Sequence, residues 1–324
     1  MYFCAYNYNL IIDNFFSKSI ISENQAVKLS ALDKHSISLF IKREDKIHPF
    51  VSGNKFRKLK YNIFEAKTQH KNTLLTFGGA FSNHILATAV AGNLTGFKTI
   101  GVVRGEELGV DLPTTLSKNS TIKKAAEHGM EFYFVSRESY RQKSNANFIE
   151  KLRVKFGDFF LIPEGGTNAL AVKGCEEILT KEDLEFNYIC SAVGTGGTIS
   201  GLINAAQPHQ EVLGFPALKG SFLREEIQPF VKNNNWSLIE DYHFGGYAKY
   251  TDELIRFINN FKSKTSIQLD PIYTAKMLFG ILDLAVKGYF KKGSKVLAIH
   301  TGGIQGIEGF NKNLIKKNKT PIKI

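Results

Sequence analysis

Tyr188-Ile-Cys-Ser-Ala-Val-Gly-Thr-Gly-Gly-Thr-Ile-Ser-Gly-Leu202 is the stretch that decides the fold. The run to Val193 reads as a buried strand, a glycine-rich turn follows at once, and Ile199-Ser-Gly-Leu202 opens a helix. Strand, tight turn and helix form the repeating unit of a parallel sheet covered by helices. The backbone N–H groups of such a turn, joined to a helix N-terminus, make a nest for a dianionic phosphate without a cationic side chain. The plain alternative is a glycine-rich turn that binds nothing. Two nucleotide loops are excluded: no Gly-Lys-Ser/Thr ending is present, and Ile199 stands where a dinucleotide fingerprint needs its third glycine.

The same unit recurs outward from this stretch. Strands are expected at Ile37–Lys42, Thr73–Phe77, Thr99–Val103, Glu131–Val135, Phe159–Ile162, Val212–Phe215 and Lys295–Ile299, with helices in most gaps. Glycine pairs follow several of them closely, at Gly78-Gly79, Gly165-Gly166 and Gly302-Gly303. Ligands of open α/β sheets bind beyond the carboxyl ends of the strands, so these turns are expected to line one cleft. The length of 324 residues suits two packed lobes. No Pro/Gly/Ser linker separates them, so one is expected to be inserted in the other. The expected division is 1–45 with 157–324 as a large domain and 46–156 as an inserted small one, each an open, mostly parallel twisted sheet with helices on both faces.

The net charge of +12 raises the question of polyanionic partners. Lys greatly outnumbers Arg, whereas bidentate recognition of phosphates and bases depends on Arg, and much of the excess sits in a C-terminal run from Lys312 to Lys323. Neither nucleic acid nor membrane is therefore expected as a partner. Cys4, Cys175 and Cys190 are widely spaced in apolar surroundings, as buried thiols of a reducing compartment are. The first residues lack a basic region followed by an apolar core, and no apolar run is long enough to span a bilayer, so a cytoplasmic location is expected. No metal-ligand pattern is found.

Three constellations carry chemistry. In Ser52-Gly-Asn-Lys55, Lys55 falls in the first turn of a helix whose Phe56, Leu59, Ile63 and Phe64 form one apolar stripe, with Lys and Arg opposite. The positive end of a helix dipole disfavours an ammonium and helps the neutral amine that carbonyl chemistry needs. Ser82-Asn-His84 opens another helix, where Ser82 or Asn83 caps it and the same groups can receive a carboxylate. The C-terminal set comprises Gly245-Gly-Tyr247, Leu269-Asp-Pro-Ile-Tyr273-Thr274 and His300-Thr-Gly-Gly303, where any single Tyr or Thr is more often packing than catalysis.

The succession Ser-Gly-Asn-Lys55-Phe-Arg-Lys-Leu, Gly-Gly-Ala-Phe-Ser82-Asn-His, Gly194-Thr-Gly-Gly-Thr-Ile-Ser-Gly-Leu, Leu-Asp-Pro-Ile-Tyr273-Thr and His-Thr301-Gly-Gly resembles the 1-aminocyclopropane-1-carboxylate deaminase/D-cysteine desulfhydrase family, from about Ile41 to Gly303. The resemblance implies a tryptophan synthase β-subunit-like fold with pyridoxal 5′-phosphate between two lobes, and a homodimer. Lys55 matches the lysine that holds the cofactor as an imine. Asn83 matches the partner of its ring hydroxyl, Gly194, Thr195, Gly196, Gly197 and Thr198 its phosphate cradle, and Thr301 the partner of its ring nitrogen. For the substrate, Ser82 with Asn83 and His84 matches the carboxylate site, Tyr247 and Tyr273 match tyrosines that face it, and Thr274 follows the second tyrosine.

Family members that open the cyclopropane ring carry Glu after the second tyrosine and Leu at the position of Thr301, whereas Thr274 and Thr301 resemble the desulfhydrase branch. The expected reaction is α,β-elimination of D-cysteine or a related small D-amino acid to pyruvate, ammonia and sulfide. The alternatives are deamination of 1-aminocyclopropane-1-carboxylate and a binding protein that keeps the cofactor without catalysis. The chain departs from the family at Ala80-Phe81, where an aliphatic residue and Gln are usual, at Ile85-Leu86 for Thr-Arg, and at Ala248 for Gly.

Overall fold

The computed structural model describes Phe15, Phe16 and residues 22–324, so Cys4 lies outside the described residues. Ten strands are described: β1 (Asn24–Val27), β2 (Ser38–Lys42), β3 (Thr73–Gly79), β4 (Lys98–Arg104), β5 (Met130–Val135), β6 (Phe160–Ile162), β7 (Tyr188–Val193), β8 (Glu211–Pro216), β9 (Trp236–Leu238) and β10 (Lys295–Ile299). They form a six-stranded sheet in the order β1-β2-β10-β7-β8-β9 and a four-stranded sheet in the order β5-β4-β3-β6. Every neighbouring pair is parallel except β1 with β2.

Both sheets are covered on two faces, which is why their central strands are apolar without alternation. Every residue of β7 is buried. One face of the large sheet packs Leu39, Cys190 and Val296 against the helices Asp252–Thr265 and Thr274–Val286. The other face packs Ile189, Val193 and Leu297 against Ile199 and Leu202 of the helix Gly197–Ala205. In the small sheet, Leu74 and Val103 meet the helices Asn54–Thr68 and Asn83–Thr95, while Phe77 and Val102 meet Leu152 of the helix Ala146–Phe156.

Leu74, Leu75 and Thr76 of β3 pair in register with Phe160, Leu161 and Ile162, residues that the expected division at 157 places with the large domain. The return to the large sheet therefore follows Ile162, because the apolar β6 edge completes the small sheet before the chain leaves it. The helix Asn54–Thr68 also departs from its simple amphipathic reading, since Arg57 and Lys58 are buried along with Phe56, Leu59 and Ile63. It is enclosed on two sides because the helix Ala169–Glu176 packs against both it and the helix Gly197–Ala205. The contact is close: a Cβ at Gly174 would stand 2.0 Å from the carbonyl oxygen of Arg57, so only glycine fits. This wedge fixes the Lys55 helix against the helix that follows the Gly194 turn.

Candidate active site

The helix carrying Lys55 begins after Gly53, whose φ is +60°. A Cβ there would stand 2.0 Å from the Thr301 carbonyl oxygen, so the backbone of this turn lies directly on the turn after β10. Within the first helical turn, Asn54 Nδ2 donates to Thr198 Oγ1 at 2.8 Å. Lys55 and the glycine-rich turn after β7 are thus tied together through adjacent residues. Lys55 Nζ lies 3.5 Å from the carbonyl oxygen of Gly165, and Lys58 Nζ donates to the same oxygen at 3.0 Å. Lys58 also reaches Thr167 Oγ1 at 3.1 Å and Thr195 Oγ1 at 3.5 Å, so its side chain enters the turn that starts at Gly194. Lys58 sits one turn beyond Lys55, and i,i+3 spacing puts the two amines on one face of the helix.

This centre is cationic. Burial, and then the neighbouring Lys58 ammonium, pull the Lys55 amine down to about 7. Burial likewise lowers Lys58. The His84 imidazole is pushed well below its usual range by burial and then by the two lysines, which leaves it neutral. Against this act smaller influences, the Cys175 thiol on the two lysines and the Pro163 backbone on His84. Beside them the helix Gly197–Ala205 starts at Gly196, with φ +80° and no side-chain cap. Uncapped N–H groups at a helix N-terminus next to a buried ammonium form an anion site built for a dianion.

The remaining expected residues gather around this centre. Ser82 caps the helix Asn83–Thr95, its Oγ accepting from the N–H groups of His84 at 3.2 Å and Ile85 at 3.4 Å. As an acceptor in both, it keeps its own proton for another partner. Asn83 lies against the turn after β10, since a Cβ at Gly303 would stand 3.1 Å from its Nδ2. Tyr273 packs over Gly194, and its ring centroid is 6.3 Å from that of Tyr247 in an edge-on pair. Burial, and then the Tyr247 phenol, hold the Tyr273 hydroxyl well above its usual range, so it stays protonated.

Two expected substrate contacts are withdrawn from the surface by the packing. His84 is 1% exposed, and its Nε2 bonds Thr76 Oγ1 at 2.8 Å, whose hydroxyl in turn donates to the Ile162 carbonyl at 2.8 Å. Thr274 is fully buried, and its hydroxyl donates to Asp270 Oδ2 at 2.7 Å. Phe81, by contrast, is 54% exposed. Lys58, Asn54 and Asp270 were not expected as site residues. The i,i+3 spacing from Lys55 was the available signal for Lys58. Asp270 offered the Asx pattern at a helix start, its carboxylate accepting from the N–H groups of Ile272, Tyr273 and Thr274.

Residues 19–302 match the family of pyridoxal-phosphate dependent enzymes. The chain belongs to this family. Within the family it groups with 1-aminocyclopropane-1-carboxylate deaminases and D-cysteine desulfhydrases. It is 32% identical over 294 residues to the mitochondrial bifunctional D-cysteine desulfhydrase/1-aminocyclopropane-1-carboxylate deaminase of Arabidopsis thaliana, covering 83% of this chain and 73% of the relative. It is 33% identical over 307 residues to a putative 1-aminocyclopropane-1-carboxylate deaminase of Thermotoga maritima, covering 87% and 94% respectively. A crystal structure of an ACC deaminase homologue superposes with a TM-score of 0.77 at 27% identity, over 94% of this chain and 98% of that one. A threonine deaminase of Solanum lycopersicum, at 17% identity and a TM-score of 0.63, shares the fold. This pyridoxal phosphate-dependent enzyme thus has the fold and the cofactor that the order of its motifs implied. No helix among the described residues is long and apolar enough to cross a membrane.

Proposed function

We propose that the enzyme is a lyase that eliminates the β-substituent of a small D-amino acid, D-cysteine or a close relative, to give pyruvate, ammonia and sulfide. The observation that carries this reading is the Lys55 amine, lowered to about 7 and joined through Asn54 and Thr198 to an uncapped helix N-terminus. The residues fit pyridoxal phosphate, which when bound supplies the electron sink for charge developing at the substrate α-carbon. Lys55 would hold its aldehyde, and the turn Gly194–Thr198 with the Lys58 ammonium its phosphate. Asn83 and Thr301 would flank its ring.

The protein groups do the rest. Near neutral pH the Lys55 amine is poised between base and acid, the condition under which a proton at an α-carbon is moved efficiently. The free proton of Ser82 is offered to a substrate carboxylate, and Tyr247 and Tyr273 present neutral hydroxyls. Thr274 favours the desulfhydrase reading: a glutamate there would set its carboxylate against Asp270, whereas the threonine hydroxyl donates to it. The proposal retains an inserted small domain, extended to 46–162 so that it holds β3 to β6, and a cytoplasmic homodimer with twice the 36.3 kDa chain mass in light scattering.

The test is product analysis of the purified holoenzyme with D-cysteine, L-cysteine and 1-aminocyclopropane-1-carboxylate. Pyruvate and sulfide from D-cysteine are expected. Release of 2-oxobutyrate from the cyclopropane acid without turnover of D-cysteine would establish the deaminase instead, and bound cofactor without product from either would leave a binding protein.

A further inference from the structure

Beside the loop that leads into Ser82 lies a cavity of about 710 Å³ that the proposed reaction of a small neutral amino acid leaves unexplained. Its floor is the loop Gly79–Phe81 leading into Ser82, and Arg104, the last residue of β4, forms one wall. The acids around it are already engaged. Glu107 pairs with Arg137 at 3.0 Å, and Glu164 pairs with Lys143 at 3.3 Å and accepts from the Tyr140 hydroxyl at 2.7 Å. Arg104, Lys118 and Arg141 also line the cavity, and among the described residues none of the three forms an ion pair, although Asp111 acts electrostatically on Lys118.

Arg104 is the best placed of them. Its partner across β3 and β4 is Gly79, and a Cβ at Gly79 would stand 3.7 Å from the guanidinium, which therefore lies over the loop just before Ser82. The guanidinium carbon is 5.7 Å from the centroid of the Tyr140 ring, a contact that holds its plane. Glu164, which lines the same cavity, precedes Gly165, whose carbonyl oxygen lies 3.5 Å from Lys55 Nζ.

We infer that this cavity receives a second anionic group, a carboxylate, sulfonate or phosphate on the substrate side chain, and that Arg104 is the residue that selects for it. The inference rests on the proposed cofactor and reaction and names the substrate class for that same site. A planar guanidinium with no carboxylate of its own offers a two-pronged match to such a group. A neutral side chain would leave Arg104 without an anionic partner in the cavity that it lines.

The test compares kcat/KM of the holoenzyme for S-sulfocysteine and O-phosphoserine with that for cysteine and serine, each as both enantiomers. The anionic compounds are expected to be favoured at least tenfold, and Arg104→Gln should reduce that preference at least tenfold through KM, with Arg104→Lys restoring part of it. A wild-type enzyme that shows the absorbance of bound cofactor yet prefers the neutral compounds overturns this inference and leaves the lyase reading standing. Absence of that absorbance overturns both. Should Arg104→Gln fail to fold, the double variant Lys118→Gln/Arg141→Gln on the same cavity must show the reduced preference, and an unchanged preference overturns the inference.

Discussion

At the scale of residues, two lysines three positions apart share one buried region. Lys55 loses its proton near pH 7 because water is excluded from it and because Lys58 repels the added charge. Protein stripped of cofactor should therefore take up pyridoxal phosphate slowly about a unit below pH 7 and quickly about a unit above it, with a midpoint near 7 in the rate at which the absorbance of the bound form appears. Lys58→Met removes the repelling ammonium, so the Lys55 pKa should rise and the midpoint move to higher pH, while burial, the larger cause, keeps it below the ordinary lysine value of 10.5. A midpoint that ignores the substitution would contradict the coupling. The place of Lys55 in the first turn of a helix was legible in the sequence because glycine and asparagine precede it. Lys58 was not, because on a helix read as amphipathic it belonged to the solvent face, and only the wedge of the helix Ala169–Glu176 shows that face to be buried.

At the scale of elements, the start of the helix Thr274–Val286 holds Tyr273 in place. Asp270 is 2% exposed and accepts from three backbone N–H groups at 2.8 to 2.9 Å and from the Thr274 hydroxyl. Asp270→Ala leaves those donors buried and unpaired, for a loss of about 3 kcal/mol in urea unfolding, with kcat falling as Tyr273 shifts. A change below about 0.5 kcal/mol would show that the turn forms without the carboxylate. The motif Leu-Asp-Pro-Ile-Tyr-Thr was visible in the sequence, but its hydrogen bonds were not, so Thr274 was read as a substrate contact. The central strands with strong apolar runs, such as β7, were legible for the opposite reason: burial on both faces leaves a continuous signal. The edge strands β1 and β9 were missed because Asn24–Val27 and Trp236–Leu238 are too short, and too exposed on one side, to carry such a run.

At the scale of the whole molecule, the two sheets are joined where the chain crosses from β2 to the Lys55 helix. Arg57 bridges that crossing, donating through Nε and Nη2 to the fully buried Glu44 carboxylate at 2.9 and 2.8 Å. Glu44→Ala leaves the buried guanidinium with Glu177, at 3.9 Å, as its remaining carboxylate and should cost about 3 kcal/mol, read as a lower midpoint of chemical unfolding. Loss of cofactor affinity should accompany it, since the same helix carries Lys55. Unchanged stability would mean that the crossing is held by apolar packing alone. In chain order β3 to β6 of the four-stranded sheet fall between β2 and β7 of the six-stranded one, and the three residues of β6 declare their sheet only by pairing with β3.

The most direct test at this scale is to locate the covalent attachment. Holoenzyme reduced with borohydride, digested and mapped by mass spectrometry should carry the pyridoxyl group on Lys55, in the segment whose preceding residue bonds Thr198. A pyridoxyl group found on Lys58 or elsewhere, or on no lysine of a yellow protein, would contradict the account.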